Sequence, residues 1–179
     1  MLAIKHVRAN AERYLIDPDN LMILGYSAGG HLCASTVALS DEVEQALDKA
    51  LEQQRPDLAK AYQGISILPD KVCLGYPVIS FLEEAHELSF QNLSGGDETL
   101  REHLSVEQQV RRDYPKTFVW ACEDDSSVPS SNAVRMAQAL SANGIPHQLR
   151  LYPQGEHGCA LAQGTSAEGW VDEMLEYMK

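Results

Sequence analysis

The sequence lacks long apolar runs, carries few basic residues and has no closely paired cysteines. No apolar stretch approaches the roughly 20 residues that a transmembrane helix needs, and residues 1–8 lack the apolar core of a signal peptide. Lys and Arg number 14 against 26 Asp and Glu, and the formal net charge of −12 argues against nucleic-acid binding and anionic membrane surfaces. The four cysteines include no C-x-x-C pair, which predicts reduced thiols rather than disulfides or metal ligands, and therefore a cytoplasmic protein.

The remaining composition is that of a soluble globular protein, with 44% hydrophobic and 22% charged residues. A chain of 179 residues is most economically one domain, 1–179, with a sizeable core. Apolar runs predict strands at 21–25, 72–76, 117–121 and 147–152. The first run is continuous, which is typical of a strand buried on both faces. Periodic patterns predict helices at 2–15, 28–39, 42–54, 98–112, 130–143 and 166–179, with 57–70 as a connector. This alternation predicts a mainly parallel sheet with flanking helices, an α/β fold.

The run Gly-Tyr-Ser-Ala-Gly at 25–29 lies between the first predicted strand and a predicted helix. In that context G-x-S-x-G is typical of a nucleophile elbow, a sharp turn that holds a serine hydroxyl out at the end of a strand. The turn is expected to force Ser27 into a strained conformation and to need glycines on both sides, because a Cβ there would clash. The backbone N–H of Ala28 is then the predicted donor to a developing oxyanion.

A serine nucleophile needs a base, and the base needs an acid that fixes its tautomer. His157 lies in Gly-Glu-His-Gly shortly after the fourth predicted strand, where the glycines allow the loop to aim an imidazole. His31, one helical turn beyond Ser27, is interpreted as packing or orienting the helix. The other histidines lie in weaker contexts: His6, His86, His103 and His147. The acidic run Glu123-Asp124-Asp125 follows the third strand, and chemistry alone leaves the choice of acid open.

Together these motifs resemble an α/β-hydrolase of the carboxylesterase kind, in particular the small bacterial acetyl-ester and carbohydrate-ester hydrolases that include acetylxylan- and feruloyl-esterase-like proteins. The resemblance covers nearly the whole chain and rests on four runs: 16–20 leading to Gly25–His31, Tyr76–Ser80, Asp125–Pro129 and Gly155–Gly158. It implies that Asp125, in the D-x-x-V-P run, is the acid and that His157 is the base. It also implies that 81–114 is a variable, cap-like segment that helps to wall the acyl or alcohol pocket.

The sequence departs from that family before the elbow. Only 24 residues precede Gly25, and they contain no H-G-G-type loop, which in the family supplies a second oxyanion donor. We therefore expect an N-terminally truncated α/β-hydrolase fold. The first strand would then be a sheet edge with unpaired backbone groups, which invites self-association.

The predicted function is hydrolysis of short-chain, acetyl-type carboxylic esters, including those of carbohydrates, by Ser27, Asp125 and His157. The expected partner is a small-molecule ester, with no metal or organic cofactor, nucleic acid or membrane. Two alternatives stay open. One is an inactive, truncated hydrolase fragment, and the other is a peptidase or amidase of the same fold.

Overall fold

The computed structural model describes all 179 residues and contains one sheet of four parallel strands. The strands lie in the order β1-β2-β3-β4, which is also their order along the chain. Their bounds are Met22–Tyr26 (β1), Lys71–Gly75 (β2), Lys116–Cys122 (β3) and His147–Tyr152 (β4). The predicted α/β architecture and all four predicted strands are therefore confirmed.

Helices connect and flank the strands. Their bounds are Leu2–Ala9 (α1), Ala11–Tyr14 (α2), Ala28–Ala38 (α3), Ser40–Gln54 (α4), Pro56–Ala61 (α5), Glu87–Ser94 (α6), Arg101–Leu104 (α7), Ser131–Ala142 (α8) and Trp170–Met178 (α9). Two short 3₁₀ turns cover Glu98–Leu100 and Val106–Gln108. None of these helices has the length and apolar character that crossing a membrane requires.

The core lies around β2 and β3, whose side chains are almost all buried, and helices pack on both faces of the sheet. Gly25 faces α3, since a Cβ built on it would meet Cys33 Sγ at 2.7 Å. Tyr26, the next residue along β1, points to the opposite face. There its ring packs edge-to-face on Trp170 of α9, with the two ring centroids 6.0 Å apart. The elbow that follows β1 is thus supported from both faces.

The expectation that β1 is buried on both faces was wrong. Met22 is 36% exposed and Leu24 38% exposed. The physical reason is the position of β1 at the sheet edge, where β2 is its only neighbour. The continuous apolar run is therefore a strand with one partly exposed face, the face that carries Met22 and Leu24 and on which α9 packs.

The prediction of one helix over 98–112 was also wrong, because α7 covers only Arg101–Leu104 and a short 3₁₀ turn lies on either side of it, with an interruption at Ser105. Ser105 has an extended backbone (ψ 104°), and its hydroxyl accepts a hydrogen bond from the Phe81 N–H at 2.9 Å. Tertiary contacts have replaced the helical ones. Two helices lie where none was predicted: α5 within the supposed connector, and α6, whose first turn is capped by the His86 side chain.

Candidate active site

Ser27 occupies a sharp turn between β1 and α3. Its backbone is left-handed in φ (53°, with ψ −124°), which confirms the strained conformation predicted from the motif. The turn is held on both sides, because the Ser27 N–H donates to the Gly75 carbonyl and the Ser27 carbonyl accepts from the Val78 N–H, each at 3.1 Å. The end of β2 therefore fixes the position of the serine.

The glycines of the motif have different roles. A Cβ on Gly25 would come within 2.2 Å of the Gly29 carbonyl oxygen, so no larger residue fits there. A Cβ on Gly29 would meet nothing within 4 Å, whereas one on Gly30 would meet the Pro77 Cβ at 2.7 Å. The prediction that both motif glycines are needed for space was therefore right for Gly25 and wrong for Gly29. The close approach on the helix side occurs at Gly30.

The structure brings together the three predicted site residues from three loops beyond the carboxyl ends of β1, β3 and β4. His157 Nε2 lies 2.8 Å from Ser27 Oγ, and His157 Nδ1 lies 2.7 Å from Asp125 Oδ2. A carboxylate can only accept, so Nδ1 carries the proton of this pair and Nε2 is left as the acceptor for the serine hydroxyl. The arrangement can withdraw a proton from Ser27 when its oxygen attacks an electrophile.

Asp125 is buried and well supplied with donors. Its side chain is 0% exposed, and its second oxygen accepts hydrogen bonds from the N–H groups of Ser127 and Val128, both at 2.9 Å. These bonds leave Oδ2 directed at His157. Of the three candidate acids, Asp125 is the one bonded to the imidazole.

Asp124 contacts the same loop at a different point. Its carboxylate accepts from the N–H groups of Gly155 at 3.0 Å and Glu156 at 2.9 Å, the two residues before His157. Reasoning from the sequence assigned no role to Asp124, although its position beside Asp125 in an acidic post-strand loop was the available signal. Asp124 therefore fixes the backbone just before His157, and Asp125 fixes the imidazole itself.

The other histidines take no part in the hydrogen-bonded path from Ser27 to Asp125. His31 is buried, and its Nε2 donates to the Leu104 carbonyl at 2.9 Å while its ring packs on Phe81. Burial lowers the pKa of His31. It ties α3 to the 81–114 segment, in agreement with the packing role predicted for it. The remaining four contact other partners: Tyr14 and Tyr62 at His6, Ser89 at His86, Glu42 at His103 and the Ile145 carbonyl at His147.

A largely apolar cavity of about 400 Å³ begins beside the elbow. Ala28 lines it, and its N–H, as the first of α3, has no acceptor within the helix. Most of the wall comes from α3 and from the 81–114 segment, including His31, Leu32, Phe81, Leu93 and Leu104, and the rest comes from Met1, Leu39 and Val43. The free N–H at the mouth of an apolar cavity can bind an oxyanion while a substrate group occupies the cavity.

The cysteines and acids form no metal centre. All four cysteines are free, and no group of three or more His, Cys, Asp or Glu side chains is placed to hold an ion. Burial raises the pKa of Cys73 and of Cys122 to about 12, so both are neutral thiols at physiological pH.

A parallel sheet flanked by helices, with a serine on a strand-to-helix elbow facing a histidine and a buried aspartate, defines the α/β-hydrolase fold. Residues 1–140 match the family model described as BD-FAE, and the chain belongs to that family. The crystal structure of an acetyl ester-xyloside bifunctional hydrolase from Caldicellulosiruptor lactoaceticus superposes with a TM-score of 0.81 at 34% identity, covering 98% of this chain.

Two relatives carry names that concern xylan. The chain is 36% identical over 170 residues to endo-1,4-beta-xylanase B of Butyrivibrio fibrisolvens, covering 94% of this chain and 25% of that protein. It is 29% identical over 159 residues to an acetylxylan esterase of Xylanibacter ruminicola, covering 85% of this chain and 28% of that protein. The chain thus spans about a quarter of these relatives, and 61% of the chain in the Caldicellulosiruptor structure.

Proposed function

We propose that this chain hydrolyses carboxylic esters, with acetyl-type esters of carbohydrates as its substrates, and that Ser27, His157 and Asp125 carry the reaction. The single observation behind the proposal is the unbroken hydrogen-bonded path from Ser27 Oγ through His157 to the buried Asp125 carboxylate. A serine hydroxyl is a weak nucleophile by itself, and this path supplies both the base and the group that orients it.

In the proposed reaction Ser27 Oγ attacks the ester carbonyl carbon while His157 Nε2 takes the hydroxyl proton. Asp125 stabilises the imidazolium that forms, and the Ala28 N–H donates to the oxyanion. The tetrahedral intermediate collapses, the C–O bond to the alcohol breaks, and His157 protonates the leaving oxygen. A water molecule then attacks the acyl carbon while His157 takes its proton. The bond from that carbon to Ser27 Oγ breaks, His157 returns the proton to Ser27 Oγ, and the acid leaves.

The substrate class is supported by the cavity and by the relatives. The apolar cavity beside Ala28 suits an uncharged acyl or alcohol group, and we assign its outer wall to the cap-like segment 81–114. The net charge of −12 disfavours strongly anionic substrates. Relatives named as an acetylxylan esterase and an acetyl ester-xyloside hydrolase support carbohydrate acetates within that class.

The direct test is turnover of a matched panel consisting of 4-nitrophenyl acetate, 4-nitrophenyl butyrate, acetylated xylo-oligosaccharide and 4-nitroacetanilide. Wild type should release acetate from the oligosaccharide, and Ser27→Ala should not. Preference for the anilide over the acetate would favour an amidase of the same fold. Absence of turnover of every substrate by folded protein would favour the inactive-chain alternative.

We further propose that the chain self-associates through the free edge of β1. This strand pairs only with β2, and Met22 and Leu24 expose apolar surface beside its unpaired edge. Sedimentation velocity should show a concentration-dependent dimer that Leu24→Lys weakens. A monomer at all concentrations would contradict the proposal.

The four free thiols support a reducing, cytoplasmic location, which would be tested by fractionating the native cells.

A further inference from the structure

We infer that Tyr76, together with Trp170, is a positioning residue that holds His157 against Ser27. The inference rests on the proposed function for its kinetic consequences, while its structural part concerns only the orientation of the imidazole. Neither residue belongs to the path from Ser27 to Asp125, and neither lines the cavity beside Ala28.

The loop that carries His157 needs external support. Between β4 and α9 the chain forms only turns and bends, and three of its non-glycine residues adopt positive φ: Glu156 (54°), Ala160 (49°) and Ala162 (55°). Each such conformation costs about 1–3 kcal/mol and persists only where the surroundings impose it. Asp124 provides that support before His157, and a second anchor is required after it.

The second anchor is at Ala160, three residues after His157. The Ala160 N–H donates to Tyr76 Oη at 3.1 Å, and the Ala160 carbonyl accepts from Trp170 Nε1 at 2.9 Å. Both polar groups of this residue are therefore bound by side chains, one from the end of β2 and one from α9. Two bonds from separate elements fix the position and the rotation of the residue.

Tyr76 also contacts the imidazole directly. Its ring centroid lies 5.0 Å from that of His157 at an interplanar angle of 68°, an edge-to-face arrangement. The same side chain therefore touches the histidine ring and holds the backbone behind it. Loss of its hydroxyl would free the loop while leaving the ring contact available.

The aromatic residues that make these contacts are buried and packed against other rings. Tyr76 is 3% exposed and stacks on Tyr26 with centroids 5.3 Å apart, and its N–H donates to the Trp120 carbonyl at 2.6 Å. Trp170 stacks on Trp120 at 4.9 Å. The two anchor side chains therefore connect the His157 loop to the most deeply buried part of the sheet, which restricts the positions that the imidazole can take.

The test compares Tyr76→Phe and Trp170→Phe with wild type and with Tyr152→Phe. The control removes a buried hydroxyl from the same aromatic cluster, one that makes no hydrogen bond to the loop carrying His157. For each anchor variant we expect kcat for 4-nitrophenyl acetate to fall about tenfold, the loss expected from one hydrogen bond. KM should stay unchanged because the cavity is intact, and Tyr152→Phe should match wild type in both constants.

A spectroscopic measurement separates this inference from the proposed function. The proton between His157 Nδ1 and Asp125 should give a sharp downfield ¹H NMR signal in wild type and in Tyr152→Phe, and a broadened or missing one in both anchor variants. If the signal differs in this way between wild type and the anchor variants, but wild type has no esterase activity, the proposed function fails and the positioning role stands. An unchanged signal in both anchor variants would overturn the positioning role, and so would a raised KM with kcat unchanged.

Discussion

Asp124 and Asp125 are adjacent in the chain, and their carboxylates hold two different parts of one loop. Asp125 bonds the imidazole of His157, whereas Asp124 bonds the N–H groups of the two residues that precede that histidine. One turn after β3 thus supplies both the partner of the ring and an anchor for the backbone. The two acids should respond differently to the same substitution.

For Asp125→Asn we expect kcat to fall about 10⁴-fold, the loss seen when an amide forces the histidine into the wrong tautomer. Oδ1 would still accept from the Ser127 and Val128 N–H groups, so the amide nitrogen would face His157 and its Nε2 would carry the proton. Asp124→Asn keeps an acceptor oxygen for its loop, so kcat should fall no more than about tenfold. Steady-state kinetics on both variants check the contrast, and equal losses would refute it.

The elbow glycines give a second matched pair. Gly25→Ala places a Cβ 2.2 Å from a backbone oxygen that cannot move aside, so we expect a loss of about 3 kcal/mol in the free energy of unfolding. Gly29→Ala meets open space inside α3 and should stabilise the protein by about 0.5–1 kcal/mol. Urea denaturation measures both values, and destabilisation by Gly29→Ala would count against the described turn.

The buried His31 predicts a pH dependence of stability. Its folded pKa is lowered by burial, so between that value and the unfolded value of about 6.5 the unfolded chain binds more protons. Stability should therefore decline as the pH falls below about 6.5, by no more than about 1.4 kcal/mol per pH unit from this group, and level off below the folded pKa. In His31→Gln this contribution should be absent, as denaturation at pH 7.5 and pH 5.5 would show. A steeper acid loss in the variant than in wild type would contradict the assignment.

The cysteines predict selective alkylation. Cys73 and Cys122 are buried with a pKa of about 12, whereas Cys159 is partly exposed. Because the thiolate is the reactive form, iodoacetamide at pH 8 should modify Cys159 well before Cys73 and Cys122 in native protein. All four should react alike in urea, which serves as the control. Peptide mass spectrometry reads out the order, and early modification of Cys73 would contradict its burial.

Much of the fold could be predicted because local pattern and tertiary structure agree in the sheet. The strand ending at Cys122 is apolar and buried, and the elbow motif constrains Ser27 through backbone sterics alone. The segment 81–114 could not be predicted, because its path is set by distant partners. The Ser105 hydroxyl binds the Phe81 N–H, and the Val106 N–H donates to the Ile79 carbonyl, contacts that no local pattern reveals.

In the site, too, the residues in local motifs could be predicted, and the contacts between distant residues could not. Ser27 and His157 stand in recognisable motifs, so their residue types and contexts were enough to nominate them. The choice among the three acids needed either the family resemblance or the geometry, because all three follow the same strand. For the anchoring contacts of Asp124, the position beside Asp125 was the one signal in the sequence. The contact of Tyr76 involves a backbone group of a loop without periodicity, so no sequence pattern reveals it.

We propose that Ser27 is a nucleophile activated by His157 and Asp125, and labelling with a fluorophosphonate probe is the sharpest test of that role. The probe forms a covalent bond only with an activated serine, so its site can be read by peptide mass spectrometry without knowledge of the substrate. We expect one label per chain on Ser27, strongly reduced in Asp125→Asn and absent in Ser27→Ala. Folded wild-type protein that stays unlabelled, or that is labelled at another serine, would contradict it.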